Sequence, residues 1–157
     1  MNLQAMVVIV RSFAQVKDKD HLLFAKVAKK IRLFYEHLTP TDMAGVVSAF
    51  AFAGQSIVGS SVLPTLAKHT HVMIQSGNHK FLPNEIAMLV VNFEKVLVVT
   101  VSRPLTLALL KHAEAQYDDF SAHDRDMLRK LFVKSGWEQA FCMYPTQDEG
   151  LKSAGGQ

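Results

Sequence analysis

Three basic pairs recur along the 157-residue chain: Lys29 with Lys30, Lys68 with His69, and Lys111 with His112. Each follows an apolar pair, Val27-Ala28, Leu66-Ala67 or Leu109-Leu110, so a four-residue column repeats at separations of 39 and 43 residues. Cations in register along one surface attract phosphates, with an affinity that falls as salt rises. Lys26, Arg32 and His71 extend the set on neighbouring helical positions. The competing account is that these residues solvate the outer face of amphipathic helices. Lys80, Arg125, Arg129, Lys130 and Lys134 form a second basic set, and its last four members share one helix at spacings that bring Arg125, Arg129, Lys130 and Lys134 near one face. That helix could dock RNA or an acidic protein, or carry ordinary helix-end charge.

Other chemistries find little support. His69 and His71 lie two apart on a helix and point to different faces, whereas zinc needs converging ligands. Asp118, Asp119, Asp124 and Asp126 cluster near a turn without the glycine and closing glutamate of a calcium loop, and helix capping accounts for them better. There is no nucleophile elbow, phosphate-binding glycine loop or His-Glu-x-x-His helix. The expectation is a protein without catalysis, metal, cofactor or small-molecule substrate.

The elements that must carry the basic column repeat as well. Phe13, Phe50, Phe93 and Phe132 are 37, 43 and 39 residues apart, each near the end of a stretch with helical apolar spacing. In that register Met6, Met43, Ile86 and Arg125 align, as do Ile9, Val46, Leu89 and Leu128. Asp42, Glu85 and Asp124 stand eight residues before the last three phenylalanines, where an acid answers the amino-terminal helix dipole. Thr39-Pro40-Thr41-Asp42 and Ser121-Ala122-His123-Asp124 read as capped helix starts, and Leu38, Phe81 or Phe120 just before each start is placed to staple it. The pattern predicts helices over 3–16, 21–37, 40–53, 61–76, 83–98, 104–117 and 121–135, with Pro64 and Pro104 in first turns. The β-branched run 96–101 is expected to be a helix end and a buried connector.

Seven such helices stack as an all-α solenoid of about three and a half hairpins over 1–144, followed by a flexible tail over 145–157. Hydrophobic residues make up 49% of the chain and charged ones 20%, enough for one domain with a sizeable core. The net charge of +3 suits an RNA partner without requiring one. One cysteine, Cys142, excludes an internal disulfide. The longest apolar candidate, 86–101, is interrupted by Asn92, Glu94 and Lys95, so no membrane span is expected. The start carries neither a secretory nor a transit-peptide pattern, so any organellar leader would be absent from this sequence or unconventional. An array with uncapped ends needs partners over them, and Met6, Val7 and Val10 at one end and Trp137 at the other are the expected protein contacts, with core packing the alternative for Trp137.

The segments Leu38-Thr-Pro-Thr-Asp-Met-Ala-Gly-Val-Val-Ser-Ala-Phe-Ala-Phe-Ala-Gly54 and Phe81-Leu-Pro-Asn-Glu-Ile-Ala-Met-Leu-Val-Val-Asn-Phe-Glu-Lys-Val96 resemble heptatricopeptide repeats. These are helical hairpins of organellar proteins related to the octotricopeptide and FAST-kinase-like groups, often accompanied by a RAP domain. The resemblance covers about residues 3 to 136, and its most telling element is the Phe/Leu-x-Pro-x-Asp/Glu start with an Ala-Phe-Ala end at Ala49-Phe50-Ala51. It implies RNA work in the mitochondrial matrix, either binding transcripts or holding ribosomal RNA inside a mitochondrial ribosome among other mitoribosomal proteins. No RAP domain follows the repeats and the period is uneven, which points away from transcript processing and toward a stoichiometric subunit. A protein-only scaffold in another mitochondrial complex is the alternative.

Overall fold

Each aligned helix starts where the sequence supplies an acceptor or an acid. Asn2 Oδ1 accepts the Ala5 amide at 2.7 Å and opens α1 (Leu3–Gln15), and Asp20 Oδ1 accepts the Leu23 amide at 2.9 Å and opens α2 (His21–Phe34). A reciprocal box between Thr39 and Asp42 opens α3 (Pro40–Ala53). Leucine has no acceptor at the start of α6 (Pro83–Val96), so Glu85 supplies half a box by accepting the Leu82 amide at 2.8 Å. Ser121 Oγ accepts the Asp124 amide at 3.1 Å ahead of α8 (Ala122–Ser135). Between these lie α4 (Gln55–Val58), α5 (Val62–Ser76) and α7 (Val99–Ala113), with 3-10 turns at Tyr35–His37 and Glu114–Asp119.

This is a computed structural model that describes residues 2–97 and 99–135, and the described residues form eight α-helices and no strand. Trp137, Cys142 and the 145–157 tail lie outside them, as do the side chains of Phe132 and Lys134.

Packing follows the repeat columns. The chain of contacts runs from α1 to α3, α3 to α6 and α6 to α8 in one series, and from α2 to α5 to α7 in the other. Phe50 and Phe93 are fully buried, with Met43 and Ile86 one column and Val46 and Leu89 another in the same core. The stapling residues Leu38, Phe81 and Phe120 are buried too. Helix α3 is apolar almost all round because it meets α1, α2, α5 and α6, and its small residues Ala44, Gly45 and Ala49 let those neighbours close in.

Three expectations need correction. Val7 and Val10 do not form a free protein contact, because at 1% and 0% exposure they are covered by the chain's own helices, while Met6, at 8%, is covered except where it lines a groove beside α2. Helix α1 packs on both α2 and α3, and that amphipathic face is the one it buries. Pro104 lies inside α7 and not in its first turn, since the helix begins at Val99. Within the β-branched run, Val96 ends α6 as expected, but residues 99–101 open α7 in place of a connector. Helix α4 was not anticipated.

Candidate nucleic-acid interface

The cations of the repeated column stand on the second helix of each hairpin, α2, α5 and α7. Val27, Leu66 and Leu109 are buried at the same turn, and they orient each helix so that Lys29, Lys68 and Lys111 emerge into solvent. No described residue forms an ion pair with any of the three. Since α5 contacts both α2 and α7, the three equivalent turns belong to consecutive, touching helices. Lys26, Lys30 and Arg32 are also exposed on α2, and the Arg32 guanidinium donates to Ser61 Oγ at 3.1 Å.

The histidines of the column behave differently. Adjacent residues on a helix diverge by about 100°, so two successive positions cannot both occupy the centre of one face. His69 turns inward and meets Tyr35 edge-on, with ring centroids 5.0 Å apart. Desolvation there lowers its pKa below the ordinary 6.5, against a smaller upward pull from Glu36, and nearby His79 lowers it further. His112 packs edge-on against Phe81 at 5.9 Å, and its Nε2 is buried with no hydrogen-bond partner among the described residues. Lys30, which occupies this position in the first hairpin, is exposed.

The C-terminal basic set is partly neutralised. Lys130 pairs with Asp126 at 2.7 Å one turn away, the carboxyl of Asp126 being held below its usual value chiefly by that hydrogen bond. Both side chains are well exposed, so the pair adds little stability. Arg129 is exposed and Arg125 half-buried. Lys80 is exposed in the connector between α5 and α6. His71 is half-buried on α5.

Comparison with family models, with curated proteins and with solved structures finds no match. Geometry must therefore carry the functional reading. Among the described residues no helix is long and apolar enough to cross a membrane, and no group of three or more His, Cys, Asp and Glu is placed to hold a metal ion.

Sequence reasoning passed over Arg11. Its guanidinium has no partner among the described residues and lies along α3, over Gly45, whose missing Cβ would stand 2.5 Å from Arg11 Cδ. Below it a groove of about 320 Å³ runs across α1, α3 and α6, lined by Ser48, Phe52, Asn84 and Met88 among others, and Lys19 sits 4.9 Å over the Phe52 ring at one side. The signal for this feature was an arginine in an otherwise apolar helix with a glycine in the next.

The same surface shows how successive hairpins are registered. Gln4 Nε2 donates to Asp42 Oδ2 at 2.8 Å, and Thr41 Oγ1 donates to Glu85 Oε1 at 2.5 Å. Gln4 and Thr41 occupy one repeat column and Asp42 and Glu85 another, so the first two hairpins each offer a donor to the helix-start acid of the next. Those acids, capping their own helices, are 7% and 4% exposed.

Proposed function

We propose that this chain is a non-catalytic α-solenoid, a structural subunit of a mitochondrial ribonucleoprotein, in the first instance the mitoribosome. In this reading Lys29, Lys68 and Lys111 make one stripe along the second-helix face and hold ribosomal RNA by its phosphates. The observation that carries it is the exposure of all three lysines, with no ion pair to a described residue, at equivalent turns of three successive touching helices. An outer face merely solvated by charge would not require cations at one column while the adjacent column turns inward onto aromatic rings.

The solenoid reading is supported by the two series of helix contacts and by the donor-to-acid bonds that join α1 to α3 and α3 to α6. The mitochondrial assignment rests on the resemblance to heptatricopeptide repeats. His69 and His112 leave the stripe, and Lys130 contributes to it weakly because Asp126 engages it.

The test is sedimentation of the tagged protein from its native cell, with and without ribonuclease, for the natural chain and for Lys29→Glu/Lys68→Glu/Lys111→Glu. Co-migration with ribosomal RNA, lost on digestion and in the triple variant, is expected. On purified protein, removing three phosphate contacts to single-stranded RNA should reduce the salt slope of binding by about 2, at roughly 0.7 per contact. Sedimentation with a protein complex that ignores nuclease would refute RNA holding and leave the protein-only scaffold.

A further inference from the structure

At the α1 and α2 end of the fold lies an open groove of about 910 Å³. Its floor is apolar, made by Leu3, Met6, Leu23, Val27, Leu33 and Phe34, and its rim carries Lys26, Lys29 and Lys30 with no acidic residue in the lining. Leu33 and Phe34 are 63% and 47% exposed. Apolar area of that kind is costly to leave in water, and three lysines within five residues repel one another unless something neutralises them.

We infer that this groove seats an acidic amphipathic helix of a partner protein, its apolar stripe on the floor and its carboxylates against the three lysines. Helix-in-groove docking needs such a pairing of apolar anchors with a complementary rim. Two observations of the fold point the same way. In the later hairpins the position of Lys30 is taken by His69 and His112, each packed on a ring of the preceding segment, Tyr35 or Phe81, so this is the face on which a neighbouring element belongs. The position equivalent to Asp42 and Glu85 is Ala5 in the first hairpin, so the end has no acid to accept a donor from a preceding repeat of the same kind.

The charges dispose of other occupants. A second copy docking head to tail would present α8, where the Asp126 carboxylate is already engaged by Lys130 and Arg129 is exposed, to a lysine rim. A second copy docking groove to groove would set the same lysines against themselves. RNA gains nothing from six apolar residues beneath its phosphates. The inference deepens the reading of the chain as a subunit held by protein neighbours and does not depend on the RNA stripe.

The probes are two blocked helical peptides sharing one leucine stripe at i, i+3, i+4 and i+7, one flanked by glutamates and the other by lysines. Fluorescence anisotropy with the full chain at 0.1 M salt should show the acidic peptide binding at least roughly tenfold more tightly than the basic one. Leu33→Glu/Phe34→Glu, both exposed and so expected to leave the thermal melt unchanged, should abolish that binding. Lys26→Glu/Lys29→Glu/Lys30→Glu should reverse the preference, while Lys68→Glu/Lys111→Glu should weaken RNA and leave the peptide unaffected. Equal binding of the two peptides, or binding that survives Leu33→Glu/Phe34→Glu, would overturn the inference. So would a concentration-dependent dimer, or RNA binding, that this same variant abolishes. Failure of the natural chain to bind the acidic peptide, with its RNA salt slope as expected, would sink the groove alone, and peptide binding without RNA binding would sink the stripe alone.

Discussion

Replacing Glu85 with alanine tests whether the hairpins are locked in register by the polar ladder or simply by apolar packing. The Glu85 carboxylate is 4% exposed, accepts the Leu82 amide at 2.8 Å through one oxygen and the Thr41 hydroxyl at 2.5 Å through the other. Losing the helix-start acceptor costs about 1 kcal/mol. Losing a hydrogen bond to a charged group costs about 1.5–3 kcal/mol, part of which is recovered because no charge is any longer buried. A net destabilisation of about 2–3 kcal/mol follows, a large share of the roughly 5–15 kcal/mol that holds a domain together. Thr41→Val leaves one oxygen of the buried Glu85 carboxylate without its donor but keeps the helix-start acceptor, and should cost about 1–2 kcal/mol. Urea unfolding of both single variants and the double variant, with unchanged m-values, gives the coupling, expected near 1 kcal/mol. A cost for Glu85→Ala below about 0.5 kcal/mol, in the range of ordinary surface substitutions, would refute the ladder as a structural element, and a coupling of zero would refute the link between α3 and α6.

Two further outcomes follow from the packing. His69 has a folded-state pKa below the ordinary 6.5, so the unfolded chain binds its proton more tightly and stability is lost as pH falls from that value through the folded pKa. Urea midpoints should therefore decline between about pH 7 and pH 5, and His69→Gln should flatten that decline, whereas an unchanged slope would remove His69 as its source. Gly45→Ala should stabilise α3 by about 0.5 kcal/mol, because a helix-interior glycine costs up to roughly 1 kcal/mol relative to alanine and the unpaired end of Arg11 can move off the new methyl group. A lowered melting temperature that Arg11→Ala corrects would show that the guanidinium is held in place.

Much of this fold could be read from caps and columns. The Thr39 and Ser121 starts, the buried phenylalanines at 50 and 93 and the stapling residues are local chemistry that tertiary packing left in place. The uneven period proved harmless, since the four additional residues of the longer interval fall in the exposed connector 77–80, ahead of Phe81. The two misplaced elements share one cause. Helix α4 occupies register positions whose last three counterparts in the next hairpin, 99–101, are the start of α7. Gly59, at φ +92°, breaks that course in the middle hairpin, while its counterpart Ser102 does not, and Pro104 consequently lies within a helix. No periodicity distinguishes four residues of helix from a loop. The basic column was legible as a column but not as a direction, because whether a histidine beside a lysine faces water depends on Tyr35 and Phe81, which come from elsewhere in the chain. The end groove was signalled only in part, by Lys26, Lys29 and Lys30. Its floor depends on which apolar residues the neighbouring helices fail to cover.

Helix α4 bears on whether the middle unit is exchangeable. It rests on α2, and the side-chain amide of Gln55 donates to the carbonyl of Val96 at the end of α6. The central hairpin thus grips both its neighbours through a piece that neither of them possesses as a separate element. Modular arrays change length by gaining or dropping interchangeable units, but excising this one would remove a brace as well as a repeat, and duplicating it would create a brace with no matching seat. The middle hairpin is therefore keyed to the two it touches, like a joint cut for one pair of members.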